Sequence, residues 1–153
     1  MNRLENLRRH IDHLLFQLDG EPCRNGFIHL YGVSVFAVLL ARKRGSDEEI
    51  AAACGMLHDL WTYTSGDSVD HAVHSAHMAQ RILAEIGGFS KAEIEDISLA
   101  ILYHTNKQEI HDPLAELLKD ADVLQHHFYN PALPENPGET DRFARCMAEL
   151  GIL

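Results

Sequence analysis

Eleven histidines stand among the 153 residues, several of them next to carboxylates, and they are the part of this sequence with the most obvious chemistry. His29, the doublet His58-Asp59, His71 and His74, His104, and Asp120 within Lys119-Asp120-Ala121-Asp122 form a distributed set of imidazoles and carboxylates. Imidazole nitrogen together with carboxylate oxygen suits a divalent cation such as Mn, Fe, Co, Ni or Zn, and the carboxylates with water would suit Mg. Thiolates take no part. Cys23, Cys54 and Cys146 are far apart with no C-x-x-C pair, so neither a structural zinc site nor a disulfide framework is indicated, and a reducing cytoplasmic compartment is expected. No G-x-x-x-x-G-K-[ST], G-x-G-x-x-G after a strand, G-x-S-x-G or H-E-x-x-H occurs, which removes the motif support for the corresponding nucleotide-binding, nucleophile and metalloprotease classes.

Taken singly, each of these residues has an ordinary reading. A histidine on an apolar helix can be a hydrogen-bonded core residue, and one at a helix start can sit idle in solvent. Four such groups converging without an ion would leave buried polar atoms needing partners, so the set points to metal more strongly than any member does. Asp122, Asp67 and Asp70 could fix a histidine tautomer from behind, although Asp67 and Asp70 also read as plain loop and N-cap carboxylates. Lys107, Lys119 and Arg24 flank the set and could donate to a phosphate, or could be solvated cations. Trp61, Tyr63 and Tyr103 could line a pocket that stacks a base, or pack at its rim, while His10, His13, His77, His111, His126 and His127 read as surface residues.

The elements that must position these groups are all helical. Leu4, Leu7, Ile11, Leu14, Leu15 and Leu18 repeat at helical spacing, predicting a helix over about residues 2–18, stopped at Asp19-Gly20-Glu21-Pro22. A second helix is expected over about 25–44, closed by basic residues and Gly45. Ser46 and Glu49 have capping-box spacing for a third that ends at His58-Asp59. Adjacent helical residues point about 100° apart, so this doublet can converge on one ion only at a helix end, where the negative dipole also favours a cation. Residues 62–70 read as a loop before a fourth helix ending at Gly87-Gly88. Ser90 with Glu93 caps a fifth helix, running to about His104. Asp112-Pro113 opens a sixth, and Thr140 caps a last one to about residue 150. No period-two alternation marks a strand, so the expected fold is all-α, one domain over 1–153, a compact bundle of six or seven helices.

Composition agrees with a globular protein: 46% hydrophobic and 24% charged residues, long enough to bury a full core without staples. Against 23 acidic residues there are 13 Lys and Arg, a formal charge of −10 with no basic stripe, which argues against a duplex nucleic-acid partner. The start lacks a signal-peptide h-region and the longest apolar run, 33–41, is too short to span a bilayer, so no membrane association is expected. The apolar stripe of the first helix could pack within the chain or across a homodimer.

The ordered series Arg24-Asn25-Gly26-Phe27-Ile28-His29, Gly55-Met56-Leu57-His58-Asp59-Leu60, His71-Ala72-Val73-His74-Ser75-Ala76, Ile101-Leu102-Tyr103-His104 and Leu118-Lys119-Asp120-Ala121-Asp122 resembles the HD-domain superfamily of metal-dependent phosphohydrolases over roughly residues 24–130. The resemblance implies that His29, His58, Asp59 and Asp120 hold a first metal. It implies that His71 and His104 add a second in dinuclear members, with Asp59 bridging and His74 an alternative to His71. Asp59, His71 and His104 would then carry catalysis with one or two divalent ions. The Tyr103-His104-Thr105 segment is similar to a branch that hydrolyses diadenosine polyphosphates, but Leu124-Gln125-His126-His127-Phe128 departs from it, so that substrate does not carry over. The function so implied is hydrolysis of a small phosphorylated metabolite, a nucleotide, by a metal-activated water. A dinuclear-iron oxygenase and a non-catalytic nucleotide-binding module are the alternatives.

Overall fold

The computed structural model describes residues 2–133 and 136–152. Eight helices run in the order α1 (Arg3–Leu15), α2 (Gly20–Arg44), α3 (Glu48–Leu57), α4 (Leu60–Ser65), α5 (His71–Ile86), α6 (Lys91–Tyr103), α7 (Pro113–Tyr129) and α8 (Thr140–Glu149), with no strand among the described residues. The all-α bundle is as expected. The additional helix is α4, which takes up residues 62–65 of the expected loop; it is a turn and a half closed by Gly66 in the left-handed region at φ 74°.

Several ends differ from expectation for local reasons. Helix α2 begins at Gly20, with Pro22 in the first turn where a missing N–H costs nothing. Asp47, not Ser46, caps α3, its carboxylate accepting from the N–H of Glu49 and of Ile50. The α6 capping box of Ser90 and Glu93 is present, but at α8 Glu139 holds the cap position and Thr140 is the first helical residue.

Leu4, Leu7, Ile11 and Leu15 bury the α1 stripe inside the chain itself. Arg3 pins this helix down, pairing with Glu49 and Glu93 at 2.7 Å each and lying over the Phe89 ring. Over eighteen residues α2 reaches a mean hydropathy of 1.4, long and apolar enough by composition to cross a bilayer, contrary to the shorter run counted in the sequence. Its Leu30, Val33, Ala37 and Leu40 are buried in the bundle core, which accounts for that apolarity.

The crossing of α2 and α3 sets the functional end of the bundle. Gly55 lies so close to α2 that a Cβ there would come within 2.5 Å of the Ser34 Cα and 2.6 Å of its nitrogen. Backbone cannot yield as a side chain can, so only glycine allows this approach. Ser34 Oγ seals it by donating to the Ala52 carbonyl at 3.0 Å. The consequence is that His29, one and a half turns before Ser34, and His58, just after Gly55, are brought ring to ring.

Candidate metal centre

His58 is the C-cap of α3 and Asp59 the N-cap residue of α4, with φ −119° and ψ 15° at the aspartate. The break between two helices is what lets neighbouring side chains point at one centre. His29 comes from mid-α2, His71 from the first residue of α5 and His104 from the C-cap of α6. All four rings face Asp59, and its two oxygens divide them. Oδ2 lies 3.3 Å from His29 Nε2 and 3.4 Å from His58 Nε2, while Oδ1 lies 3.3 Å from His71 Nε2 and 3.1 Å from His104 Nε2.

The far nitrogens decide the tautomers. His58 Nδ1 donates to the Gly55 carbonyl at 2.8 Å, His71 Nδ1 to Ser68 at 3.0 Å, His104 Nδ1 to Ile101 at 2.6 Å, and His29 Nδ1 to the side-chain oxygen of Gln125 at 2.8 Å. Carbonyl oxygens only accept, so each Nδ1 carries a proton, and a ring that holds no second proton turns a lone pair on Nε2 toward the centre. His29 Nε2 and His58 Nε2 are 3.1 Å apart. Lone pairs this close to one another and to carboxylate oxygens repel unless a proton or a metal ion lies between them. Two ligands of one ion at about 2.1 Å are separated by roughly 3.0–3.5 Å, the range these atoms occupy.

Asp122 completes the group. Its Oδ1 is buried without any hydrogen-bond partner, 3.5 Å from His29 Nε2 and 3.6 Å from His58 Nε2. An orphaned carboxylate oxygen in a buried position calls for a ligand. Among the described residues, His29 with His58 and Asp59, Asp59 with His71 and His104, His29 with Asp122 and His126, and His58 with His104 and Asp122 each bring three donor atoms close enough to share an ion. The donor set fits one or two divalent cations.

The electrostatics point the same way. Burial disfavours charge on Asp59, yet His58, His104 and His29 hold its carboxyl well below the usual range, and Lys107 and His58 do the same for buried Asp122. Burial also disfavours a charged His58, but Asp59 and Asp122 outweigh it and raise its pKa to about 10. At His104 burial wins and the pKa is pushed down despite Asp59. Two buried anions thus draw positive charge into the cluster, as a proton or as a metal ion.

Asp120 is not in this cluster. Its carboxylate is clamped by Arg142 at 2.8 Å and Arg44 at 2.6 Å, on the opposite side of α7 from Asp122. Two residues along a helix are about 200° apart, so only one of the two aspartates can face the histidines. A signal for the one that faces the histidines is present in the sequence: Asp122, Gln125 and His126 form an i, i+3, i+4 polar stripe, and all three meet at His29. His126, read as a surface residue, stacks on His29 and lies 3.4 Å from Asp122 Oδ1. Glu139, against the opposing effect of burial, raises its pKa.

His74 stacks on Trp61 at 4.6 Å and stays outside the cluster, which leaves the α5 position to His71. Lys119 is fully buried and satisfied by Glu116, the Glu109 carbonyl and His111, so it meets no substrate. Tyr103 stacks on His111, and His127 on Phe143, so neither of these histidines is a free surface group. Of the expected aromatic residues it is Tyr63 that lines the cavity beside the site, about 390 Å³ in volume, together with Asn25, Tyr129, Asn130 and His126.

The HD domain family model matches residues 26–126, about two thirds of the chain, and spans every member of this cluster. The chain belongs to the HD-domain family. Its similarity to YueE of Bacillus subtilis (strain 168), whose name places it provisionally among the phosphohydrolases, is 29% identity over 132 residues, 72% of this chain and 74% of that one. Ribonuclease Y of Oceanobacillus iheyensis is 31% identical over 104 residues, 66% of this chain but 18% of that enzyme. The crystal structure of a predicted HD superfamily hydrolase from an uncultured Thermotogales bacterium superposes with a TM-score of 0.59 at 20% identity, covering 94% of this chain and 89% of that one. The likeness of fold therefore extends beyond residues 26–126 to most of the chain.

Proposed function

We propose that this HD domain is a metal-dependent phosphohydrolase with two divalent ions bridged by Asp59, acting on a small phosphorylated metabolite of the nucleotide class. The observation that carries this reading is the division of the Asp59 oxygens between two histidine pairs whose Nε2 atoms all converge on it. On this reading His29, His58, Asp59 and Asp122 hold one ion, and Asp59, His71 and His104 the other. Asp122 replaces the Asp120 of the sequence reading. The likeness to the phosphohydrolase-named YueE supports the reaction class.

When bound, such ions lower the pKa of a coordinated water toward neutrality and act as Lewis acids toward phosphoryl oxygen. The chain's own contribution is positional. The four backbone and amide acceptors fix the imidazoles in the ligating tautomer, Asp59 orients both halves of the site, and the cavity admits the substrate along His29 and Asp59. Tyr63 and Tyr129 offer ring faces, and Asn25 and Asn130 offer amides, which suit a nucleobase and sugar better than a purely ionic metabolite. Since bound cations reverse the local charge, the net charge of −10 is compatible with an anionic substrate.

The test is elemental analysis of anaerobically purified protein, followed by phosphate release from a panel of nucleoside phosphates and a short RNA, with oxygen uptake followed in parallel. Two ions per chain and phosphate release, both lost in Asp59→Ala, are expected. Oxygen-dependent turnover without phosphate release would instead favour an oxygenase, and saturable nucleotide binding with no product a binding module.

A further inference from the structure

Lys107 lies in the segment joining α6 to α7, and its ammonium group touches both halves of the metal centre. Nζ donates to Asp122 Oδ2 at 2.7 Å and to the His104 carbonyl at 3.3 Å, with the side chain 14% exposed. The Asp122 oxygen it occupies is the one turned away from the histidines; the other, Oδ1, is the buried unpartnered atom facing His29 and His58. The lysine is itself held from behind. Arg142 Nη2 donates to the Lys107 carbonyl at 2.9 Å, while Arg142 Nη1 holds Asp120 at 2.8 Å, so two successive acidic positions of α7 fix the segment that carries the lysine.

We infer that Lys107 is a positioning residue for the metal centre: it pins the Asp122 carboxylate by Oδ2 so that Oδ1 alone is presented to the ion, and ties the carboxylate to the end of α6 that carries His104. This inference rests on the metal-centre reading above. A free carboxylate on a short side chain can rotate about its Cβ–Cγ bond and present either oxygen, or both. A short charge-assisted bond at one oxygen removes that freedom and offsets the second unit of anionic charge in a buried place. Partners behind a ligand typically change metal affinity by about 10–100-fold when removed. Lys107 therefore acts through Asp122 rather than by contacting substrate, and the phosphate-donor role open to it from sequence is already used up by the aspartate.

The experiment is Mn2+ binding to chelator-stripped protein by calorimetry, for the native chain, Lys107→Met and Lys107→Arg, with far-UV circular dichroism reporting that each is folded. Lys107→Met is expected to weaken Mn2+ binding about 10–100-fold with helix content unchanged. Lys107→Arg, which keeps the charge and a donor, should recover affinity to within a few-fold. Should the methionine variant fail to fold, Lys107→Gln is read in its place. Native-like Mn2+ affinity in the neutral variant overturns the inference while leaving the metal centre intact, and so does an arginine variant as weak as the methionine one. A native chain that takes up no Mn2+ or Fe2+ overturns the metal centre itself.

Discussion

Asp120 and Asp122 are two residues apart and chemically identical, and the structure gives them different partners, so exchanging each for alanine tests the roles proposed for them. Asp120 sits between Arg142 and Arg44, with Arg142 nearly inaccessible. Removing one partner of a buried ion pair costs roughly 3–5 kcal/mol. Here Arg142 retains Glu116 at 2.9 Å and Arg44 retains Glu149 at 2.8 Å, which places the loss nearer 2–3 kcal/mol by the same principle. For a chain of this size that corresponds to a fall in Tm of about 4–12 °C. Asp120→Ala should therefore melt early in chelator, yet bind Mn2+ with native stoichiometry at a temperature where it is folded. Asp122→Ala should lose the ion held with His29 and His58 even where it is folded, and because it also leaves Lys107 without its partner at 2.7 Å its metal-free melting point should fall as well. Calorimetric metal titrations and thermal melts of both variants with and without chelator decide the matter. Loss of metal from Asp120→Ala together with native metal binding by Asp122→Ala would refute the site as drawn.

Gly55→Ala should destabilise the fold by about 3 kcal/mol or more, because its Cβ would meet the Ser34 backbone, and urea midpoints check this; a native midpoint would mean that α2 and α3 can part without cost. Because His58 is raised to about 10, Mn2+ binding at pH 7 should expel about one proton per chain, read from calorimetry in buffers of different ionisation enthalpy, and no release would mean that His58 is already neutral. Glu116 titrates near 2 in the folded chain: burial would raise it, but Lys119, the His111 N–H and Arg142 overcome that. A depressed carboxyl contributes stability that is complete above its unfolded value of 4.5 and fades as the pH falls toward 2, so Glu116→Gln should flatten the pH dependence of Tm over that window. An unchanged slope in the variant would show that other carboxylates carry the acid sensitivity.

The helical periodicities, the Ser90 capping box, the Asp112-Pro113 start and the terminal glycines are local properties, settled by neighbours three or four residues away, and the sequence alone determined them along with the all-α class. It also determined that imidazoles and carboxylates recur at helix ends, which suffices for a metal chemistry and a family resemblance. Boundaries set by one residue's competition for a cap, such as Asp47 against Ser46 or the onset of α4, were less legible, since either choice satisfies the local rules. Which aspartate of α7 faces the histidines was a question of helix rotation, decided by how α7 packs against α2 and by the hold of Arg44 and Arg142 on Asp120. The same holds for His126, which stays exposed yet stacks on His29 at the site, and for Lys119, buried by partners at positions 109, 111 and 116. These assignments depend on side chains up to about a hundred residues apart, as with His29 and Gln125, and no spacing within one helix encodes them; only the closed bundle makes them neighbours.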